Sequence, residues 1–113
     1  MTKSEAEKLL VILKGEILTP PLSRKARVEA GYLLRKLQQG ELIGMPRSRP
    51  MPVIGRGCHE LRILDIDSTW RIIYRIDDDA IVIAEVFSKK TRETPKSIID
   101  TVKARFRMYD EAS

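Results

Sequence analysis

The stretch from Cys58 to Pro95, CHELRILDIDSTWRIIYRIDDDAIVIAEVFSKKTRETP, predicts three consecutive antiparallel strands and decides the fold. Successive side chains of a strand point to opposite faces of a sheet, so alternate residues share a face. In the middle run, Trp70 and Tyr74 lie on one face, which we expect to be the buried one. Arg71 and Arg75 lie on the other face. The stretch therefore predicts a sheet with one apolar face and one basic face.

Two predicted turns decide which charged residues meet on the basic face. Residues 65–68, DIDS, are typical of a hairpin loop, which would place Arg62 directly across from Arg71. Three consecutive aspartates supply the next turn, and a loop of about three residues places Glu85 and Phe87 on the same face. We call this predicted surface the arginine face. Its members are Glu60, Arg62, Arg71, Arg75, Glu85 and Phe87, edged by Lys89 and Lys90.

The N-terminal residues predict a further strand. Residues 1–8 are polar and predict a frayed helical turn or a disordered tail. The apolar run LLVIL that follows indicates a fully buried strand over 9–14. A short helix from Ser4 through Leu13 is the competing interpretation, because a short apolar run is compatible with either structure.

Two amphipathic helices flank the strands. Ser23 is a favourable N-cap for a helix over 23–39, in which alanines and leucines recur at helical spacing and which Gly40 ends. Thr94 is the expected N-cap of a C-terminal helix over 95–109, with proline at its first position. The first helix should pack on the apolar face of the sheet. Its basic outer side is either solvated surface or a contact for nucleic acid.

The segment 44–57, GMPRSRPMPVIGRG, predicts an irregular loop, because prolines and glycines interrupt any periodicity. Arg47, Arg49 and Arg56 make this loop a candidate arm for phosphate contacts. A solvent-exposed connection that merely carries charge is the alternative.

These patterns together predict a single domain over 1–113 of the α+β class. Its sheet should be small, twisted and mainly antiparallel, with about four strands and with helices at 23–39 and 95–109. The strands are expected at 9–14, 58–65, 69–77 and 80–88.

The composition favours a polyanionic partner and a reducing compartment. Twenty-one lysines and arginines against sixteen acidic residues give a net charge of +5, and nucleic acid is the first candidate for such a partner. A single cysteine allows no internal disulfide, so we expect a cytoplasmic protein. The apolar run near the N-terminus is too short to span a membrane. With one histidine, adjacent to that cysteine but on the opposite face, we expect neither a metal site nor a cofactor.

Three motifs in order resemble the RelE/HigB superfamily of toxins from bacterial toxin–antitoxin modules, and more closely its phage-derived HigB-like subgroup. These motifs are ELR at 60–62, WRIIYR at 70–75 and VFSKKTRETP at 86–95. The leucine-rich helix that Gly40 ends and the SRPMP segment at 48–52 are similar to that subgroup too. The likeness covers nearly the whole chain.

The resemblance implies a RelE-like fold in which a twisted sheet holds its helices on one side and displays its active site on the other. It implies a metal-independent endoribonuclease, an mRNA interferase that cuts messenger RNA in the decoding site of the ribosome. It also implies a cognate antitoxin, expected to be a small helix-turn-helix protein. Arg62, Arg71, Lys89 and Lys90 match positions that contact or stabilise the scissile phosphate in that family.

Cleavage without a metal requires the 2′-hydroxyl of the RNA as nucleophile, a base, cations that stabilise the phosphorane and an acid for the leaving oxygen. Guanidinium groups match phosphate oxygens in pairs and stay charged. One of the two lysines is a candidate acid, Glu60 or Glu85 is a candidate base, and Phe87 is a candidate stacking platform for a base. The candidate catalytic residues are Arg62, Arg71, Lys89, Lys90, Glu60 and Glu85, and the candidate RNA-binding residues are Arg75, Phe87, Arg47, Arg49 and Arg56.

Three alternatives remain open from the sequence. The charges of the arginine face alternate in sign and are also compatible with cross-strand ion pairs on a solvated sheet. A ParE-type relative shares the implied fold but poisons DNA gyrase without cutting RNA, and function depends on sites rather than folds. A degenerate phage remnant that binds its antitoxin without toxicity is the third.

Overall fold

The computed structural model describes residues 7–14, 22–89 and 93–112, and these residues form two helices and five strands. The predicted α+β class is confirmed. In chain order the elements are β1 (Leu9–Ile12), α1 (Arg24–Gln38), β2 (Ser48–Pro50), β3 (Cys58–Leu64), β4 (Thr69–Ile76), β5 (Ala80–Lys89) and α2 (Lys96–Ala112).

The strands form one sheet in the order β1-β5-β4-β3-β2. Only the pair β1 and β5 is parallel among the described strands, so the sheet is mainly antiparallel, as predicted. The strand expected at 9–14 is confirmed over Leu9–Ile12, and the competing helix is wrong there. Its expected full burial is wrong, because β1 is at the edge of the sheet and Leu9 and Ile12 are 68% and 47% exposed. Residues 1–6, which carry most of the predicted N-terminal tail, lie outside the described residues.

β2 is a strand that the sequence pattern does not predict. The segment 44–57 is expected to be irregular throughout, but Ser48–Pro50 pairs with β3, with Arg49 opposite Glu60. Three residues are too few to show the alternation of a strand, and a proline argues against one. Pro50 is tolerated because β2 is at the edge of the sheet, where a missing N–H removes no ladder bond.

α1 covers the apolar face of the sheet, as predicted. The Oγ of Ser23 accepts a hydrogen bond from the N–H of Ala26 at 3.1 Å, so the predicted N-cap is confirmed. Gly40 has a φ of +90° and ends the helix, with N–H groups that follow α1 bonded back to the carbonyls of Lys36 and Leu37. The alanines and leucines of α1 pack with Trp70 and the buried side chains of its face.

α2 lies on the opposite face of the sheet, so the expectation that both helices share one side is wrong. Val102 and Phe106 pack against Ile73, Val82 and Ala84, which point away from α1. β5 is apolar on both sides, and this second apolar surface needs a cover of its own. Part of the arginine face is therefore beneath a helix.

The start of α2 also differs from the prediction. The hydroxyl of Thr94 donates to Glu60 at 2.8 Å and does not cap the helix. The carbonyl of Pro95 instead accepts the first helical hydrogen bond, from the N–H of Ile99 at 3.1 Å. The segment before α2 is thereby fastened to the sheet. Neither described helix is long and apolar enough to cross a membrane.

A β-bulge decides which side chains of β5 face α2. Tyr74 pairs with Ile83 but Ile73 pairs with Glu85, so Ala84 is an extra residue in β5. Before the bulge, Val82 faces α2. The predicted loop of about three residues is wrong, because Ile76 pairs with Ile81. The extra residue is what keeps the later Glu85 on its predicted face rather than in the core beneath α1.

Candidate functional site

The sheet register aligns the predicted residues in rows across β3, β4 and β5. Arg62 pairs with Arg71, and Arg71 pairs with Phe87. In the next row Ile73 lies between Glu60 and Glu85. The predicted opposition of Arg62 and Arg71 is confirmed, as is the placement of Phe87 on their side.

Glu60 is the centre of a buried ionic cluster. Its side chain is 0% exposed, and its Oε1 accepts from Arg71 Nη1 at 2.7 Å and from Arg49 Nε at 3.0 Å. Its Oε2 accepts the Thr94 hydroxyl at 2.8 Å. One carboxylate therefore joins β2, β3, β4 and the segment before α2. A buried charge of this kind is stable only because it is paired and hydrogen-bonded.

The predicted exposure of Glu60 and Arg71 is wrong, because the two side chains are 0% and 3% exposed. They lie on the predicted face of the sheet, but the segment around Thr94 covers them. The alternative of cross-strand ion pairs thus describes part of the arginine face, although this pair is buried rather than solvated.

Arg62 differs from its neighbours in having no counter-charge among the described residues. It is half-buried, and within residues 7–14, 22–89 and 93–112 no acidic side chain pairs with it. Its Nε is buried and has no hydrogen-bond partner among those residues. Its backbone N–H donates to the carbonyl of Arg47 at 2.7 Å, which holds β3 against the start of β2. Burial without a counter-ion makes its charge available to an external anion.

Arg75 lies near the end of β4, away from Arg62, and is held there by two carboxylates. Its guanidinium donates to both oxygens of Asp77, at 2.7 and 2.9 Å, and to both oxygens of Asp110, at 3.0 and 2.7 Å. The group also lies 4.8 Å from the centroid of the Phe106 ring. The hydrogen bonds that Arg75 donates to Asp77 and then to Asp110 raise the pKa of Arg75, and Arg75 in turn lowers the pKa of Asp110. Arg75 ties β4 to the end of α2.

Glu85 and Phe87 are half-buried beside α2. The Oε1 of Glu85 lies 3.3 Å from Arg105 Nη1, and the same nitrogen donates to the carbonyl of Ala84 at 2.7 Å. Phe87 packs at the border of the core beneath α2. Both side chains are closer to solvent than Glu60, so they border the open part of the face.

The arginines of the 44–57 segment separate into two groups. Arg47 is exposed and lines a groove of about 470 Å³ beside Arg62, and Arg49 is on β2 in contact with Glu60. Arg56 is exposed near Arg75, at the opposite end of β3. The structure therefore brings Arg47 and Arg49 to Arg62 and leaves Arg56 elsewhere.

Two predicted residues lie at the edge of what the structure describes. β5 ends at Lys89, whose backbone pairs with Thr69 in the row beyond Arg62. The side chain of Lys89, and Lys90 as a whole, lie outside the described residues. Their proposed roles stay predictions.

The contributions of Thr94 and α1 to this region are not predicted by the sequence pattern. Thr94 had the signal of an N-cap, and only the folded structure shows its bond to Glu60. Lys25 and Glu29 of α1 line the groove beside Arg62, which the basic outer side of the helix indicated only in general terms. The groove is at the end of the β3–β4 hairpin, where Leu64 and Thr69 also line it.

His59 and Cys58 lie away from the Arg62 region. The ring of His59 stacks on Tyr74 with centroids 5.3 Å apart, and its Nδ1 is 3.1 Å from the carbonyl of Gly57. Burial raises the pKa of the Cys58 thiol to about 11, so the thiol stays protonated at neutral pH. Within the described residues no group of three or more His, Cys, Asp or Glu side chains is arranged to hold a metal ion.

Comparison with known families adds an independent finding. The model of the family described as "Phage derived protein Gp49-like (DUF891)" matches residues 21–107. Neither a curated protein nor a solved structure matches the chain. The matched region contains α1, the sheet strands β2 to β5 and most of α2, hence every residue of the arginine face. The chain therefore belongs to the Gp49-like family of phage-derived proteins, which are in general RelE-type, toxin-like components of toxin–antitoxin modules.

Proposed function

We propose that this protein is the toxin of a toxin–antitoxin module and cleaves messenger RNA in the decoding site of the ribosome, without a metal ion. Family membership supports the toxin role, and the net charge of +5 suits a site walled by RNA. The HigB-like subgroup and a small helix-turn-helix antitoxin belong to the same proposal.

The observation that carries the proposal is the charge balance around Arg62. Glu60 already pairs with two guanidinium groups of this part of the face, those of Arg49 and Arg71. Arg62 lies directly across from Arg71 on the same face. Arg62 carries the charge that no acidic side chain among the described residues offsets. A cation of this kind stabilises the extra negative charge that a phosphodiester gains during cleavage.

The buried cluster has a positioning role in this proposal. Glu60 fixes the guanidinium of Arg71 at 2.7 Å, one strand away from Arg62. Arg71 is 3% exposed, so its proposed part is to hold Glu60 and β4 in place beside Arg62 rather than to contact the phosphate. Because both oxygens of Glu60 are engaged and the side chain is fully buried, we assign it to positioning rather than to proton abstraction.

The base, the acid and the stacking platform are assigned to the open border of the face. Glu85 is the half-buried carboxylate there and is our proposed base. Lys89 and Lys90 follow Phe87 along the chain and are our proposed sources of positive charge and of the acid. Phe87, in the row of Arg62 and Arg71, is proposed to stack on an unpaired base.

The direct test follows RNA and DNA topology together after the protein is induced in bacteria. Wild-type protein should deplete total messenger RNA while plasmid supercoiling stays unchanged. Arg62→Ala should slow the depletion by about 100-fold or more, the reduction seen when one transition-state donor is removed. Arg56→Ala is the matched control, since it removes an exposed arginine at the far end of β3 and should leave the rate unchanged.

The opposite pattern would refute the nuclease proposal. Altered supercoiling with stable messenger RNA would identify a gyrase inhibitor of the ParE type. No effect on either quantity from folded wild-type protein would identify an inactive remnant. Co-expression of the small protein encoded beside this chain should restore growth if that protein is the antitoxin.

A further inference from the structure

A groove with a volume of about 470 Å³ opens beside Arg62, between α1 and the end of the β3–β4 hairpin. Lys25 and Glu29 of α1 form one wall, and Arg47 and Thr69 approach from the sheet side. We call it the Arg62 groove. Its volume is within the range of small-ligand sites, about 300 to 1,000 Å³.

The charges in the Arg62 groove favour an anion. Among the described residues that line the groove, Lys25, Arg47 and Arg62 oppose one carboxylate, that of Glu29, which leaves an excess of two positive charges. Lys25 and Arg47 are exposed, and no ion pair of either is found among the described side chains. Arg62 is half-buried at the base of this group with an unsatisfied Nε. Arg75, by contrast, is saturated by two carboxylates.

The groove also offers apolar surface next to its cations. Leu64 is 78% exposed at the end of β3, and Pro46 is exposed before β2. A ligand that matches both features carries a phosphate and a flat, weakly polar ring. Single-stranded nucleic acid presents that combination at every residue, because an unpaired base exposes its flat faces.

We propose that the Arg62 groove binds one nucleotide of single-stranded RNA, with its phosphate at Lys25, Arg47 and Arg62 and its base against Leu64 and Pro46. This inference rests on the function proposed above. In this arrangement the RNA runs from the row of Arg62 and Arg71 across the edge of the sheet to α1. Glu29, as the carboxylate of the groove, then weakens binding by repelling the phosphate.

The test measures binding of the full chain to a short, fluorescein-labelled strand of 2′-O-methyl uridine, which lacks the nucleophile and stays intact. Fluorescence anisotropy is followed at several salt concentrations. Lys25→Gln should weaken binding by roughly 3- to 10-fold, as expected when one charged hydrogen bond to the phosphate is removed. It should also reduce the slope of log affinity against log salt by about 0.7. Glu29→Gln should shift affinity in the opposite direction, and Leu64→Ser should weaken binding without changing the slope.

Arg35→Gln is the matched control. It removes one positive charge from the exposed side of the same helix, outside the groove, and should bind like the wild type. Equally weakened binding in Lys25→Gln and Arg35→Gln would overturn the proposal, because net charge alone would then explain binding. Unchanged affinity in both Lys25→Gln and Glu29→Gln would overturn it too. The proposal would also be overturned if an acidic peptide displaced the RNA strand at the same concentration as unlabelled RNA does.

Messenger RNA cleavage separates this inference from the proposed function. If wild-type protein cleaves RNA and the groove variants leave both binding and cleavage unchanged, the groove is refuted and the nuclease stands. If the groove variants alter binding as expected but the wild type cuts no RNA, the groove stands and the nuclease is refuted. Circular dichroism melts verify that the surface substitutions leave the fold intact.

Discussion

At the scale of single residues, burial divides the charges of the arginine face into two kinds. Glu60 and Arg71 are enclosed and bonded to each other, whereas Arg62 lies beside an open groove with no acidic partner among the described residues. All three follow the alternation predicted for β3 and β4. What alternation does not encode is how much of a face a distant segment covers, and here Thr94 makes that difference.

Glu60→Gln should lower the free energy of unfolding by about 3 kcal/mol, because removing one partner of a buried ion pair leaves the other charge enclosed. Arg71 would then face a neutral amide instead of a carboxylate at 2.7 Å. Urea denaturation measures the change. Glu85→Gln is the control, since its contact with Arg105 is longer, at 3.3 Å, and partly exposed; its free energy of unfolding should fall by less than about 1 kcal/mol. Equal decreases would contradict a buried structural role for Glu60.

The hydrogen bonds of Asp65 lead to a prediction of how the stability of the protein depends on pH. Its carboxylate accepts from the N–H of Ser23 and from Trp70 Nε1, both at 3.0 Å, and so links the β3–β4 turn to the start of α1. Hydrogen bonds from Ser23 contribute most to lowering the pKa of Asp65. A carboxylate whose folded pKa is depressed stabilises the protein above its unfolded pKa, about 3.9. That contribution is lost as the pH falls further, through the folded pKa.

Asp65→Asn should therefore melt at a lower temperature than the wild type at pH 7. The difference should shrink steadily below about pH 4, where the wild type itself loses the carboxylate. Thermal melts at a series of pH values measure this. Asp67→Asn, an exposed change in the same loop, should follow the wild type at every pH. A difference for Asp65→Asn that is the same at pH 7 as at about pH 2.5 would rule out the charge as its cause.

At the scale of elements, strong local signals were predicted correctly and weak ones were not. α1 was predictable because an N-cap serine, a leucine stripe and a C-terminal glycine agree. β3 and β4 were predictable because they alternate, and β5 because it is a continuous apolar run; aspartate-rich turns separate the three strands. β2 was not, since three residues show no period. The bulge at Ala84 and the side of the sheet that α2 occupies depend on tertiary packing, which local pattern does not specify.

Alanine substitutions at two glycines, one just before β3 and one within α1, should change the stability of the fold in opposite directions. Gly57, just before β3, has a φ of +76°, and an added Cβ would lie 3.3 Å from the carbonyl oxygen of Ile76. Gly57→Ala should destabilise the fold by about 1 to 2 kcal/mol. Gly31 is within α1 with nothing within 4 Å of such a Cβ. Gly31→Ala should stabilise the fold by about 0.5 to 1 kcal/mol.

Urea denaturation of the two single variants measures both signs in one experiment. A more stable Gly57→Ala variant would show that the backbone before β3 relaxes out of the left-handed region. A less stable Gly31→Ala variant would show that α1 does not tolerate a methyl group at that position. Either result would contradict the packing described here.

At the scale of the whole molecule, a sheet with a helix on each face leaves only part of its basic surface open. α1 covers the apolar face, α2 covers the half of the other face that contains Arg75, and Arg62 stays accessible in the other half. The sequence pattern therefore predicts which strands, which face of the sheet and which cross-strand row contain the candidate site. It does not predict which arginines are accessible. Accessibility depends on α2 and on Thr94, whose sequence signals concern helix formation alone.

This arrangement predicts a strong salt dependence for RNA binding. Removing one cation that binds a phosphate should reduce the slope of log affinity against log salt by about 0.7 for a single strand. Arg62→Ala should produce that change, whereas Arg75→Ala should affect stability more than binding, because Asp77 and Asp110 already engage its guanidinium. Titrations with the 2′-O-methyl strand at several salt concentrations measure the slopes. Equal slopes for wild type and Arg62→Ala would place the RNA elsewhere.

The chemical ends of the cut RNA test the central claim most directly. Ribosomes programmed with a defined messenger RNA are mixed with the purified protein, and the fragments are analysed at their new termini. Attack by the 2′-hydroxyl predicts a 2′,3′-cyclic phosphate and a 5′-hydroxyl, no cleavage at a 2′-deoxy nucleotide, and a rate reduced about 100-fold or more by Arg62→Ala. Cleavage that persists at the 2′-deoxy nucleotide, or an Arg62→Ala variant as fast as the wild type, would contradict the account.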